Sequence, residues 1–389
     1  MNRICLYSIC KNEEYNVKLW IERNVKGTYE SIPDVVCVVD TGSTDNTFNI
    51  LTKEYSDNLS IDVLDRFIQD EFDFAEARNY ALNAAKKYIL SNHTRYNEND
   101  TWIFICLDMD EFLVDSAETY KILKEEWNDS YDVGEMTCNI YHTGGDDDLG
   151  TMRVRHKIHR WDAEWFRSIH EYIRIKGKKE SEWNIFLHYI GLTNKGLWYD
   201  HIQNNSKPRD YKKMLIQSYN KGDRSIKTLT YLAWECIDDG EYDDVIRYAE
   251  KAIDLLYNNE EDDQYMDILY ILCNLIYLFD SYRNIGAISS AELRAANIMH
   301  IFGSGQYHPF RNALLKIADF YFDKNNTEKA LFIYLSAYFT KSFDPSCYLD
   351  IESLYDHYKD IDIYHKIIEC TMKLGYGYEA YILGVLKNE

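Results

Sequence analysis

From residue 3 to about 128, short β-branched or apolar runs alternate with longer stretches whose apolar positions recur every three or four residues. That alternation is the pattern of βα units laid on a mostly parallel sheet, and it predicts strands at 4–9, 35–39, 61–67 and 102–107. Helices are expected around them at 13–25, 46–55, 75–90 and 117–127. From about 131 to 190 the long amphipathic stretches disappear, and runs at 133–141, 152–160, 171–175 and 184–190 are separated only by polar turns. This second pattern predicts an antiparallel extension of the sheet.

Gly191, Gly196, Asn204, Asn205 and Ser206, ahead of Pro208, read as linker punctuation. Almost every later segment has helical periodicity, with breaks near Asp223, Gly240, Asn259, Gly286, Gly303 to Gly305, Asn325 and Asp344. A chain of 389 residues exceeds what one core usually supports, so two domains are expected, an α/β domain over 1–200 and an all-α domain over 208–389. In the second, Ala233, Val245 and Ala252 repeat the spacing of Ala318, Ala330 and Ala337. Small residues at those offsets let paired helices approach closely, and the stretch resembles a tetratricopeptide array. The two units lie 85 residues apart, which is not a multiple of that family's period. Longer helices or an irregular unit must therefore intervene, and a plain helical bundle is the alternative reading.

Apolar residues make up 46% of the chain and aromatics 15%, which gives both halves the means to fold. Charge narrows the partners. Against 43 basic residues stand 65 acidic ones, a formal −22, so nucleic acid and anionic membrane surfaces are disfavoured. The run Arg153-Val-Arg-His-Lys-Ile-His-Arg160 is the local exception, read as a solvated strand rather than a nucleic-acid patch. Nine scattered cysteines with no CxxC pair suit neither a disulfide framework nor a zinc site, and a cytoplasmic setting is expected. No basic leader followed by an apolar run, and no apolar stretch of spanning length, is present, so no integral membrane segment is expected.

The chemistry concentrates where apolar strands run into acidic turns, the ends at which open α/β sheets place ligands. In Val39-Asp40-Thr-Gly-Ser-Thr-Asp45 a carboxylate stands at a turn leading into a helix, and Ser43, Thr44 and Asp45 are more simply read as helix caps. In Leu107-Asp108-Met109-Asp110-Glu111 two carboxylates one residue apart follow an apolar strand, a spacing that presents oxygens to one hard divalent cation. The turn from His142 to Gly150, with three consecutive aspartates, reads as a hairpin loop rather than a calcium loop, since its spacing departs from an EF-hand. No P-loop, GxGxxG, HExxH or GxSxG pattern occurs.

Taken together, Ser8-Ile-Cys-Lys-Asn-Glu-Glu14, Val39-Asp-Thr-Gly-Ser-Thr-Asp-Asn-Thr47, Asp73-Phe-Ala-Glu-Ala-Arg-Asn-Tyr-Ala81 and Leu107-Asp-Met-Asp-Glu-Phe112 follow the order and rough spacing of a family 2 glycosyltransferase. The chain resembles the branch that carries tetratricopeptide extensions and includes bacterial peptide S-glycosyltransferases. The resemblance, over about 3–190, implies a GT-A fold and a nucleotide-sugar donor, UDP-linked by family analogy, used with Mn2+ or Mg2+. It places Asn12 and Glu13 near the nucleotide, Asp40 on the base, Arg78 on base or diphosphate, Asp108 at the ribose or metal, and Asp110 on the metal. Trp165-Phe-Arg-Ser-Ile-His170-Glu171 resembles the family's HE element, which makes Glu171 the expected general base with His170 beside it; Asp162 or Glu164 are alternatives. His188 stands near the family's late metal-binding histidine, with a buried structural histidine as the equal alternative. The implied acceptor is a protein, peptide or glycan, and the helical domain would hold it or mediate a homodimer. Two other classes stay open at this point: a sugar nucleotidyltransferase, against which the first loop lacks glycine, and a non-catalytic helical-repeat scaffold.

Overall fold

The computed structural model describes residues 1–26, 32–92, 94–97, 99–142, 152–167, 171–179, 182–187, 197–203, 210–257, 264–303, 311–339 and 360–377. Two compact units emerge, Met1–Asp223 and Arg224–Glu389.

The first unit begins as the periodicity requires: β1 (Asn2–Cys10), α1 (Val17–Asn24), β2 (Val35–Asp40), α2 (Thr47–Ser56), β3 (Val63–Arg66), α3 (Phe74–Ser91) and β4 (Thr101–Cys106). Then follow β5 (Glu111–Leu113), α4 (Ser116–Glu126), β6 (Val133–His142), β7 (Met152–His159), β8 (Ala163–Phe166), β9 (Tyr172–Ile175), β10 (Ile185–Phe186), β11 (Trp198–Gln203) and α5 (Tyr211–Asn220). The large sheet runs β3-β2-β1-β4-β7-β6-β11-β5, with β10 also on β6. Its first four strands are parallel, β7 is antiparallel to both neighbours, β11 is parallel to β6, and β5 is antiparallel to β11. This is a mostly parallel α/β sheet with an antiparallel extension.

Alternation along the central strands builds two cores. Ile4, Leu6, Val36, Val38, Ile103 and Ile105 face one side, with Trp20 and Ile21 of α1 and Tyr120 and Leu123 of α4. Cys5, Tyr7, Cys37, Val39, Phe104 and Cys106 face the other, where α3 lies close through Ala77, Ala81 and Ala85. On that second side β8 and β9 form a separate hairpin. Asn79 of α3 docks it like a strand partner, donating to Trp165 O and accepting from Trp165 N, both at 2.7 Å.

Two departures from the sequence reading matter. Residues 198–203, inside the stretch read as linker, are a strand in the interior of the sheet order, because Tyr199 and its neighbour Leu197 bury completely between glycine- and asparagine-rich flanks. The acidic element itself enters a short strand, β5, whose ends are tied by Asn24: its Nδ2 donates to Glu111 O at 2.9 Å and its Oδ1 accepts from Leu113 N at 2.8 Å. The turn at 143–150, and the segments carrying His170 and His188, lie outside the described residues.

The second unit comprises, among the described residues, α6 (Ile226–Asp238), α7 (Tyr242–Tyr257), α8 (Gln264–Asn284), α9 (Ile288–Gly303), α10 (Arg311–Asp323), α11 (Thr327–Phe339) and α12 (Asp360–Lys373). Successive helices pack from α6 to α9 and again from α10 to α12, and α6 also meets α8. Every second helix ends the same way. Gly240, Gly286, Asn325 and Gly375 all adopt positive φ after α6, α8, α10 and α12. In each case the following residue donates back five positions: Glu241 to Cys236, Ala287 to Tyr282, Asn326 to Tyr321 and Tyr376 to Thr371. The unit turning at Gly286 sits between the two recognised from sequence, so the 85 residues between those cover two repeats. Its Ala291 and Ala295 are buried like Val245 and Ala249, but Phe279 replaces the small residue of Ala233 and hides the match. Among the described residues no helix is long and apolar enough to cross a membrane, and the eight described cysteines are free and buried.

Asp132, fully buried at the start of β6, ties the extension together. Its carboxylate accepts from Lys178 Nζ (2.8 Å), Asn184 N (2.9 Å) and Arg160 Nη1 (3.2 Å). Burial pushes its pKa up, and these donors outweigh that and hold it below the usual value. A depressed folded pKa contributes stability that is present above the unfolded carboxylate range and lost as pH falls through the folded value. Asp132→Asn is therefore expected to cost about 2 kcal/mol at neutral pH in urea unfolding, and the gap from wild type should close as acid protonates the native carboxylate.

Candidate active site

The carboxyl ends of β2, β1 and β4 lie side by side in the sheet. The loops that leave β1 and β2 are interlocked rather than independent. Ser43 Oγ accepts from Asn12 N at 2.9 Å, Asn12 Oδ1 accepts from Thr44 N at 2.8 Å, and Thr47 Oγ1 accepts from Glu13 N at 2.7 Å. Glu14 and Asp45 close a reciprocal pair through each other's neighbouring backbone: Glu14 N donates to Asp45 Oδ2, and Glu14 Oε2 accepts from Asn46 N. The hydroxyls of Ser43 and Thr44, read as helix caps from sequence, are thus turned toward the neighbouring loop; Asp45 does reach the start of α2, accepting from Thr47 N. Asn12 takes a left-handed backbone, φ 57°, a conformation that asparagine tolerates better than most residues.

Asp40 is fully buried. Its carboxylate accepts from Ser43 N at 3.1 Å, from Gly42 N at 3.3 Å and from Arg66 Nε at 2.9 Å. Arg66, at the end of β3, lies 4.4 Å from the ring centroid of Phe48. Asp40 thus orders the turn and holds Arg66 at the sheet edge.

Arg78 stands in the first turns of α3, whose N-cap Asp73 accepts from Glu76 N. It is not a surface residue. Arg78 is 3% exposed, its guanidinium paired bidentately with Asp108 (2.6 and 3.1 Å) and bonded through Nε to Glu171 Oε1 at 2.9 Å. The fork lies 5.0 Å from the Trp165 ring centroid. Behind that ring a neutral chain of hydrogen bonds holds its place: Trp165 Nε1 donates to Tyr7 Oη, and His159 Nδ1 donates to Arg160 O, so His159 Nε2 accepts from Tyr7 at 2.7 Å. Burial depresses the His159 pKa to about 3, so the ring carries no charge. Burial works against charge at Arg78, Asp108 and Glu171 too, but their mutual attraction prevails: Arg78 is raised, and both carboxylates are held below their usual range.

At the far end of the acidic turn, Asp110 meets a residue that the sequence reading missed. His201 on β11 brings Nε2 within 3.4 Å of Asp110 Oδ2, and Ile202 N donates to Asp110 O at 2.9 Å. Burial lowers the His201 pKa, but the bond to Asp110 overrides it and lifts the value to about 10. Without a cation the pair therefore stabilises the fold fully below histidine's usual range and loses that contribution as pH rises through about 10. The missed signal was a histidine in a short alternating segment, Trp198-Tyr-Asp-His-Ile202, hidden between linker-like residues.

A divalent cation fits this donor set. Carboxylates one residue apart suit Mn2+ or Mg2+, and the imidazole favours Mn2+ over the harder Mg2+; Mg2+ commonly takes only one or two protein carboxylates and completes its shell with water and substrate phosphate oxygens. Among the described residues, three donor atoms close within 4.8 Å of one another only at Cys236, Glu241 and Asp244, beside the α6 turn. The donor atoms of Asp108, Asp110 and His201 do not all lie that close, and both Asp108 oxygens accept from Arg78.

No protein-family profile and no curated protein matches the chain. Among solved structures it is similar to S. aureus TarS 1–349 in complex with UDP-GlcNAc, at 12% identity over 79% of this chain and 93% of that one, TM-score 0.36. It is also similar to MamA, at 15% identity over 44% of this chain and 81% of that one, TM-score 0.32. The architecture is accordingly read from the strand order itself.

Replacing Arg78 by Met would leave two half-buried carboxylates facing each other. The expected loss is about 3 kcal/mol at neutral pH, shrinking in mild acid as one carboxylate protonates, and partly restored when Asp108→Asn is added. Chemical denaturation of the wild type and the two variants across pH checks this.

Proposed function

We propose that the N-terminal unit is an inverting glycosyltransferase that moves a sugar from a nucleoside-diphosphate donor, a UDP-hexose, to a protein, peptide or glycan acceptor by single displacement. The observation that supports it best is the assembly, at one sheet edge, of Asp108, Asp110, His201, Arg78 and Glu171 from four distant segments of the chain. This gathering answers to the needs of the reaction: a place for the diphosphate's charge, and a carboxylate near it to take the acceptor proton.

In this reading Asp110 and His201 hold the cation, with Asp108 beside them toward the ribose, and the late histidine of the family corresponds to His201 rather than His188. When bound, the cation would neutralise charge on the departing diphosphate. Asn12, Glu13 and the Asp40 turn line the nucleoside side, and Asp40 contacts the base where Arg66 yields one of its oxygens. Glu171 is the base. Its ion pair with Arg78 keeps it ionised and ready to accept a proton, at the expense of basicity, so donor phosphate drawing Arg78 away would strengthen it. His170 adjoins it in sequence. The helical repeats would hold the acceptor or a second copy of the chain, and a cytoplasmic setting accords with the free, buried cysteines.

Donor hydrolysis and thermal shift with UDP-, GDP- and dTDP-sugars, with and without Mn2+, test this without knowledge of the acceptor. One donor is expected to turn over only with metal, and Asp110→Ala and His201→Ala to lower that rate by roughly 100-fold, while His188→Ala leaves it near wild type. Absence of hydrolysis and of any melting shift with every donor would remove the transferase reading.

A further inference from the structure

Lys157 on β7 is a buried cation that none of the roles above employs. It is 8% exposed, its Nζ donates to Glu111 Oε2 at 2.8 Å, and it lies 5.7 Å from the Tyr199 ring centroid of β11. The same Glu111 oxygen accepts the backbone N–H of Asp108 at 2.9 Å, and Glu111 N donates to Asp108 O at 3.0 Å. Glu111 therefore clasps the acidic turn from inside, by one side-chain bond and one main-chain bond across its mouth. Burying a carboxylate at 3% exposure is costly unless it is paired, and Lys157 is the ammonium that pairs it.

We propose that Lys157, acting through Glu111, is a positioning residue that fixes the turn from Asp108 to Glu111, and with it the angle at which Asp108 and Asp110 are presented to a cation-bound donor. The proposal rests on the donor reading above for its purpose, but the clasp itself is a property of the turn's own bonding. The other side of this segment is already held: Asn24 ties Glu111 O and Leu113 N, and Ile202 N holds Asp110 O. What Lys157 adds is a fixed place for the Glu111 carboxylate that accepts the Asp108 N–H. Without it, Glu111 loses its charged partner and turns away, and the start of the turn loses its anchor while the end keeps its own.

Lys157→Met and the double variant Glu111→Gln with Lys157→Met separate charge from geometry. In the double variant no buried charge is left unpaired, and the introduced amide oxygen still accepts from Asp108 N. Three measurements apply: hydrogen exchange of the peptide covering 104–113, Mn2+ affinity by electron paramagnetic resonance of the free ion, and kcat against KM for donor hydrolysis. Lys157→Met should exchange faster in that peptide and lose Mn2+ affinity and kcat by about 10- to 100-fold, and the double variant should recover most of both. Were Lys157→Met too unstable to purify, Glu111→Leu with Lys157→Met, an apolar pair offering no acceptor, replaces it and should show the same losses. Wild-type exchange and Mn2+ affinity in the variant lacking the clasp, or a double variant as impaired as that one, would overturn the proposal. If the wild type hydrolyses no donor and yet exchange at 104–113 still depends on Lys157, the transferase reading fails while the clasp stands.

Discussion

The N-terminal unit depends on keeping carboxylates charged where water is scarce. Asp108, Asp110, Glu111 and Glu171 gather at the end of β4, in a chain that already carries 65 acidic residues. Left alone, such a group would take up protons or push the sheet edge apart, since each buried unpaired charge costs several kcal/mol. Arg78 from a helix and Lys157 from a strand prevent this, each spending its charge on two partners: Arg78 on Asp108 and Glu171 directly, Lys157 on Glu111 directly and on Asp108 through the field it exerts. Much of the surrounding architecture then serves to hold those two cations. Asn79 docks the β8–β9 hairpin beside Arg78, the chain from Trp165 to His159 fixes the ring below it, and the antiparallel run of β7 between β4 and β6 delivers Lys157.

The division of labour between the two edges of the site follows from this. Where the β1 and β2 loops meet, Asn12, Ser43, Thr44 and Thr47 exchange backbone and side-chain partners, and the carboxylates of Glu14, Asp45 and Asp40 mostly accept from backbone N–H groups. At the end of β4 the order comes mainly from ion pairs between side chains.

How legible this was in the sequence varies with the range of the interactions. The four parallel strands and their helices were readable because each is specified by its own residues, and the acidic strand ends marked the working edge. Arg78 and Glu171 were named as site residues from motifs, but their ion pair was not readable, since it joins positions 93 residues apart in the chain. β5 was invisible because its three residues also belong to the acidic element, and a strand that short has no periodicity to read. β11 and His201 failed for the opposite reason: the alternation was present, but glycines and asparagines on both sides suggested a linker. In the helical unit, two repeats showed through their small residues, while the one between them was masked by a single phenylalanine. The turns at Gly240, Gly286, Asn325 and Gly375 mark the repeat more faithfully than its packing residues, because a left-handed cap restricts the residue type more than a helix interface does.

The position of β11 in the sheet order sets when the site can come into being. Asp108 and Asp110 are synthesised early, but the strand that supplies His201 and anchors Asp110 O follows about ninety residues later, and its pairing is what joins β5 to the rest of the sheet. Contacts of such long sequence separation are slow to form and close late. A growing chain therefore carries its acidic turn half-built, with carboxylates gathered and no imidazole opposite them. The contact between Asp110 and His201 would arise in one step, when that strand pairs, which makes it a reporter of completed folding of the sheet.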